Sequence, residues 1–236
     1  MCIRDRDTPL LGFLDADDEF TPTALARLTR TLFETGSDFV AGAYVRNRWN
    51  GTHYRPGRIQ PWVTAGTSPA RLGTNICEHP HASGNIVAWS KISRTDLWHS
   101  LRFAENVAYE DQIVAQQMYT TARRFDVIPD VIAHWRLRAD GSSLSQSKAQ
   151  LPVLRDYLAA LRGGLRVLSE AEASAAVLAR LNLIFAMDVP PLAIIAETHR
   201  DPRYSQELRA FLDGLRALPE FAYLAPDQSL ALALDW

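Results

Sequence analysis

At residues 10–19 an apolar run, LLGFL, stops abruptly against DADDE. The run is too short for a helix and reads as the end of a buried strand. The carboxylates that follow repel one another. A fold holds them together only where something positive sits among them, or where all of them point into water. Side chains alternate along an extended chain, so Asp15 and Asp17 share one side. Both then emerge at the carboxyl edge of a sheet, where open α/β folds bind their ligands. Paired hard oxygens suit Mg2+ or Mn2+, above all a metal that also holds substrate phosphates. The plainer alternative is a solvated acidic turn that favours the next helix's N-terminus. An EF-hand loop beginning at Asp15 is excluded, because Phe20 and Ala26 stand where Gly and Glu are needed. Glu19 argues against a phosphatase-type aspartate nucleophile.

Further along, Thr21-Pro22 predicts a helix start, with Leu25, Leu28, Leu32 and Phe33 in helical period up to Gly36. DFVAGAYV (38–45) predicts a strand, and GNIVAWS (84–90) a second. Residues 46–82 show no clear period and read as a long loop. SRTDLWHSL (93–101) fits a short helix and YEDQIVAQQMYTTA (109–122) a longer one. FDVI and VIAHWRLR predict two strands around a Pro129-Asp130 turn. Beyond Ser142-Ser143 the chain turns rich in Leu, Ala, Arg and Glu with helical period, which sets a boundary near residue 148.

Two more groups could carry chemistry. Glu110-Asp111 opens the longer helix. A carboxylate there is favoured by the helix dipole and could serve as a general base, or simply as a cap. In VIAHWRLR, period 2 sends Val131, Ala133, Trp135 and Leu137 to one face and His134, Arg136 and Arg138 to the other. Arginine forks suit phosphate, and His134 suits a metal or a phosphate neighbour. Cys77, His79 and His81 resemble a metal cluster by type, but without a matching second group they read as structural. Trp49 and Trp62 could stack on sugar rings or simply anchor the long loop, with anchoring the preferred reading.

The formal net charge of −2 gives no sign of a nucleic-acid partner. Two cysteines make no disulfide framework, and MCIRDRD leads into no apolar signal core, so the expected compartment is the cytoplasm. No membrane span is expected, because Asp188 and Pro190-Pro191 cut the best candidate, LNLIFAMDVPPLAII. Association with the inner membrane face is left open. A lone strand at the extreme N-terminus suggests a chain truncated at its front.

Taken together, GFLDADDEFTPTAL, AWSKISRTDLWHSLRFAENVAYEDQ and HWRLRADGSSLS resemble the family 2 glycosyltransferases of the GT-A fold, over about residues 8–147. They are similar to members that build bacterial cell-wall, capsular and teichoic acid polymers. The resemblance implies an α/β fold: part of a GT-A (Rossmann-like) domain over 1–148, lacking its first nucleotide-binding half, then an all-helical segment over 149–236. It implies Asp15 and Asp17 as a DXD motif holding Mn2+ or Mg2+ beside a nucleotide-sugar diphosphate. It implies Asp111 as the base of an inverting transfer, with Glu110 beside it. His134, Arg136, Arg138 and Ser143 would complete the diphosphate and metal site. The implied partners are a UDP-sugar donor and a glycan or polyol-phosphate polymer acceptor. The alternative is a non-catalytic carbohydrate- or partner-binding module.

Overall fold

The structure is a computed structural model that describes residues 8–137 and 147–224. A seven-stranded mixed sheet forms its centre, comprising β1 (Leu10–Gly12), β2 (Glu19–Phe20), β3 (Phe39–Trp49), β4 (Tyr54–Ile59), β5 (Arg71–Thr74), β6 (Lys91–Arg94) and β7 (Phe125–Leu137). The main order is β1-β6-β3-β7-β2, with β4 added to β3 and β5 to β7. Long β3 and β7 run parallel and form the spine, and every other pairing is antiparallel.

The spine is buried on both faces, which explains the unbroken apolar text of DFVAGAYV. Phe39 and Ala41 pack into one core cluster, while Val40, Ala43 and Tyr44 pack into the other. Helix α1 (Ala24–Thr35) covers the second cluster with Ala24, Leu28 and Leu32. It ends at Gly36, whose left-handed φ of 72° lets its N–H cap the carbonyl of Leu32. Of the predicted stripe, Leu28 and Leu32 are buried, whereas Leu25 and Phe33 are exposed. The predicted start was early as well. Thr21 spends its hydroxyl on the Val131 carbonyl, 3.0 Å away, and so ties the chain to β7 instead of capping α1.

The supposed loop over 46–82 is largely structured. β3 runs on through it and turns into β4, followed by α2 (Pro61–Thr67) and β5. Its many polar residues face solvent on a two-stranded extension, where no buried face imposes a period. GNIVAWS is not a strand but a turn with a 3-10 segment at Ala88–Ser90, and the strand is the following KISR. The predicted helix at 93–101 is a 3-10 turn, Thr95–His99. FDVI and VIAHWRLR form one strand, because Pro129-Asp130 makes a bulge rather than a turn, between Ile128 and Val131. LLGFL is half-exposed rather than buried, with Leu14 open to solvent.

On the sheet's other face lie α3 (Asp111–Thr121) and the helical segment, α4 (Leu151–Glu170), α5 (Ser174–Leu183), α6 (Val189–Thr198) and α7 (Pro202–Arg216). The change near residue 148 is a change of secondary structure, not of core. Leu154, Leu161, Leu181 and Phe211 share one buried cluster with Phe39, Val114 and Phe125. Glycines let α4 approach α3 closely, since a Cβ on Gly163 would meet Ile113 Cδ1 at 2.5 Å. A π-helical turn, Ile184–Asp188, joins α5 to α6 ahead of Pro190-Pro191. The continuous Ser174–Thr198 stretch is long and apolar enough to cross a membrane by length and composition, contrary to the expectation. It carries Arg180 and Asp188, which are paired with each other in the fold.

Candidate functional site

The acidic run after β1 divides in two. The N–H of Asp18 donates to the carbonyl of Asp15 at 3.1 Å, a turn that separates the first carboxylates from the last. Asp18 and Glu19 are answered by β7. The N–H of Arg136 donates to Asp18 Oδ1 at 2.8 Å, and Glu19 pairs with the Arg136 guanidinium and with His134 Nδ1, 3.2 Å away. Register enforces this, since Glu19 stands opposite His134 in the β2–β7 ladder. Asp15 and Asp17 instead line a cleft of about 640 Å3, a usual size for a ligand site.

Helix α3 delivers Glu110 and Asp111 to the same cleft. Burial pushes the Asp111 carboxyl up to about 7, and Glu110 and Asp15 add to this while Lys91 opposes it. The expectation that the helix dipole would hold Asp111 ionised is therefore corrected: desolvation and like charge outweigh the dipole. Asp15 is raised too, by burial first and then by Asp17 and Glu110. Asp18, which the sequence reading did not single out, rises to about 6 through burial, despite its hydrogen bond from Arg136. Its Oδ2 is buried with no partner among the described residues.

Such crowding favours a cation. Among the described residues no three His, Cys, Asp or Glu side chains gather as a ready-made metal site. Asp15 and Asp17 offer two hard oxygens, which suits Mn2+ or Mg2+ only if a diphosphate and water supply the rest of the shell. His134 is turned to Glu19 and does not line the cleft, whereas Arg136 does. The face split predicted for VIAHWRLR fails at its end, since Trp135, Arg136 and Leu137 all line the cleft. Arg138 and Ser143 lie outside the described residues.

The remaining wall was not legible in advance. Arg46 of β3 holds its guanidinium 4.7 Å from the Trp135 ring centre and 5.4 Å from that of Trp62. Its Nε is buried with no hydrogen-bond partner among the described residues, and desolvation lowers its pKa. Trp62, read as a loop anchor, is thus a cleft residue. Lys148 rests 3.7 Å from the Tyr157 ring centre and is also lowered by burial. From α5, buried Arg180 donates to Gln112 Oε1 at 3.1 Å and to Asp188 Oδ2 at 3.4 Å, and Tyr157 donates to Asp188 Oδ1. One signal was available. Arg180 and Asp188 are eight residues apart in an otherwise apolar helical text, and so share a face. His79, by contrast, is a buried strut 2.9 Å from the Gly66 carbonyl, and Cys77 is exposed.

The fold and site define an α/β chain of the GT-A class, with an acidic cleft at the carboxyl edge of its sheet. Residues 2–99 match the family model described as glycosyl transferase family 2. The structure is similar to S. aureus TarS 1-349, with a TM-score of 0.68 and 18% identity, covering 99% of this chain and 65% of that one. TarS 1-349 in complex with UDP-GlcNAc superposes with a TM-score of 0.69 at 18% identity, covering 98% and 61%. The chain thus spans 65% of the TarS 1-349 fragment and 36% of the longer TarS chain. A comparison with curated protein sequences gives no match. Residues 2–99 therefore match the glycosyl transferase family 2 pattern, and the fold is similar to that of TarS.

Proposed function

We propose that this protein transfers a sugar from a nucleoside-diphosphate sugar to a hydroxyl of a glycan or polyol-phosphate polymer, with inversion at the anomeric carbon. The observation that carries this reading is the meeting of Asp15, Asp17, Glu110, Asp111 and Arg136 in one cleft. The solved TarS complexes contain UDP and UDP-GlcNAc, which supports a uridine-diphosphate donor. The basic wall of Arg46, Lys148 and Arg180 supports an acceptor that carries phosphate. A cytoplasmic site of action goes with this reading.

In the proposed division of labour, Asp111, poised near neutrality, takes the proton of the attacking hydroxyl as the new bond forms. Glu110 keeps its basicity high by like-charge repulsion. Asp15 and Asp17 would hold a divalent cation, which supplies positive charge beside the departing diphosphate. Arg136, which lines the cleft while pairing with Glu19, would stand beside the same leaving group, with Arg138 and Ser143 expected near it in the chain. Trp62, Trp89 and Trp135 keep the wall apolar and flat, fit for a sugar ring.

The test is direct. The full-length protein is incubated with Mn2+, UDP-sugars and polymer acceptors, and the product linkage is determined. Transfer with inversion that Asp17→Asn abolishes is the expected result. Saturable sugar binding with no transfer under any metal or donor would instead establish the non-catalytic module.

A further inference from the structure

Lys91 opens β6 and turns inward, with only 2% of its surface exposed. Its ammonium donates to the carbonyls of Val87 and Asn85 at 2.7 and 2.8 Å, and lies 3.2 Å from both Asn85 Oδ1 and Ser90 Oγ. An ammonium has three protons and no lone pair, which suits this set. A neutral amine would offer one donor fewer and point a lone pair at a carbonyl. Asn85 extends the grip: its Nδ2 donates to the Gly42 carbonyl on β3, and its carbonyl accepts from the Tyr119 hydroxyl on α3. One cation thus fastens the 85–90 turn to the spine of the sheet and to the helix that begins at Asp111.

The other side of that turn is cleft wall, where Ile86, Val87 and Trp89 stand with Asp111. We infer that Lys91 is a positioning residue for the transfer reaction, a buried ammonium clamp that holds the 85–90 wall in register with Glu110 and Asp111. The inference rests on the transferase reading for its kinetic part only. A cation is a poor choice if stability alone were served, because an apolar side chain of similar volume at such a site is often neutral or stabilising. What the ammonium adds is direction, since three carbonyl oxygens must converge on one point. Burial lowers the Lys91 ammonium to about 7, and the Asp111 carboxylate opposes that fall when ionised, so the clamp rests on the convergent carbonyl geometry.

Three measurements on the full-length protein test the clamp. Lys91→Met keeps the stem and removes the charge. It should fold, leave the donor KM within about threefold of wild type, and lower kcat by about 10²-fold, the size expected for a small misplacement of reacting groups. Amide hydrogen exchange across 86–90 should rise in the same variant, while exchange in α7 stays unchanged. Lys91→Ala leaves a cavity that admits ethylammonium, so adding ethylamine should restore part of kcat. A folded Lys91→Met with wild-type kcat, or a change in KM alone, overturns the inference. So does unchanged exchange across 86–90, and that result holds even for a protein that transfers no sugar. If Lys91→Met fails to fold, Lys91→Ala with and without ethylamine decides the matter, and equal kcat in both conditions overturns the clamp.

Discussion

The two walls of the cleft carry opposite charge and reach their stability by different routes. The acidic wall, Asp15, Asp17, Glu110 and Asp111, comes from the loop after β1 and the start of α3. Its carboxylates crowd one another, and burial with like charge raises Asp15 and Asp111. The basic wall settles its charges within itself: Arg46 lies between two indole rings, Lys148 sits over Tyr157, and Arg180 pairs with Asp188. One wall gathers carboxylates raised by burial and like charge, and the other sets its cations against aromatic rings and Asp188. The lesson is that like charges brought together under burial raise carboxylates, while cations are set against aromatic rings and a buried partner.

The sharpest way to break this comparison is at Asp111. Asp111→Asn keeps the shape and removes the proposed base, so on that proposal turnover should fall by about 10²–10⁴-fold with donor affinity retained, as read by initial rates and calorimetry. Near-normal turnover would return Asp111 to the role of a helix cap. On the basic wall, Asp188→Ala leaves the buried Arg180 cation with Gln112 as its remaining hydrogen-bond partner among the described residues. Denaturant unfolding should show a loss of about 3–5 kcal/mol, the usual cost of breaking a buried pair from one side. The hinge between the walls is the α3–α4 contact. There Gly163→Ala forces a methyl group against Ile113 and should cost about 1–3 kcal/mol by the same assay.

A pH series sharpens the contrast further. Asp111 is raised from an ordinary carboxylate value to about 7 in the folded chain. The folded state therefore holds its proton where the unfolded state has released it. The stability this contributes is full below about pH 4 and is lost as pH rises through about 7. Melting temperature in metal-free buffer should fall over that window, and Asp111→Asn should flatten the fall. The smallest effect belongs to pairs outside the cleft. Arg155→Ala, which breaks a half-exposed bridge to Glu207, should change stability by less than about 1 kcal/mol.

Much of the acidic wall could be read in advance because its signals are local. An apolar strand that stops at Asp-x-Asp, and a helix that starts with Glu-Asp, are each contained in a few residues. The helix over Asp111–Thr121 was legible for the same reason, as Val114 and Met118 are a turn apart and both buried. The basic wall was not legible. Arg46 lies in a stretch without period, Lys148 lies in the turn before α4, and Arg180 offers only its spacing from Asp188. Nothing near them in the chain announces that they converge. Glu19 teaches the reverse case, since it read as one of the acidic cluster and its register partner on β7 removed it from the site.

The sequence by itself determined the elements whose causes are short-ranged: the two-face burial of β3, the helical period of the segment after residue 148, and the carboxylates at a strand end and at a helix start. The tertiary structure alone decided which charges meet. It bent 46–82 into strands and a helix, joined FDVI and VIAHWRLR through a bulge, and laid α4 on α3 through Gly163. It also brought Arg180 and Asp188 to a cleft founded on β1. The physical reason is range. Backbone propensity and amphipathic period act over a few residues, whereas desolvation and charge pairing depend on neighbours that only the completed packing supplies.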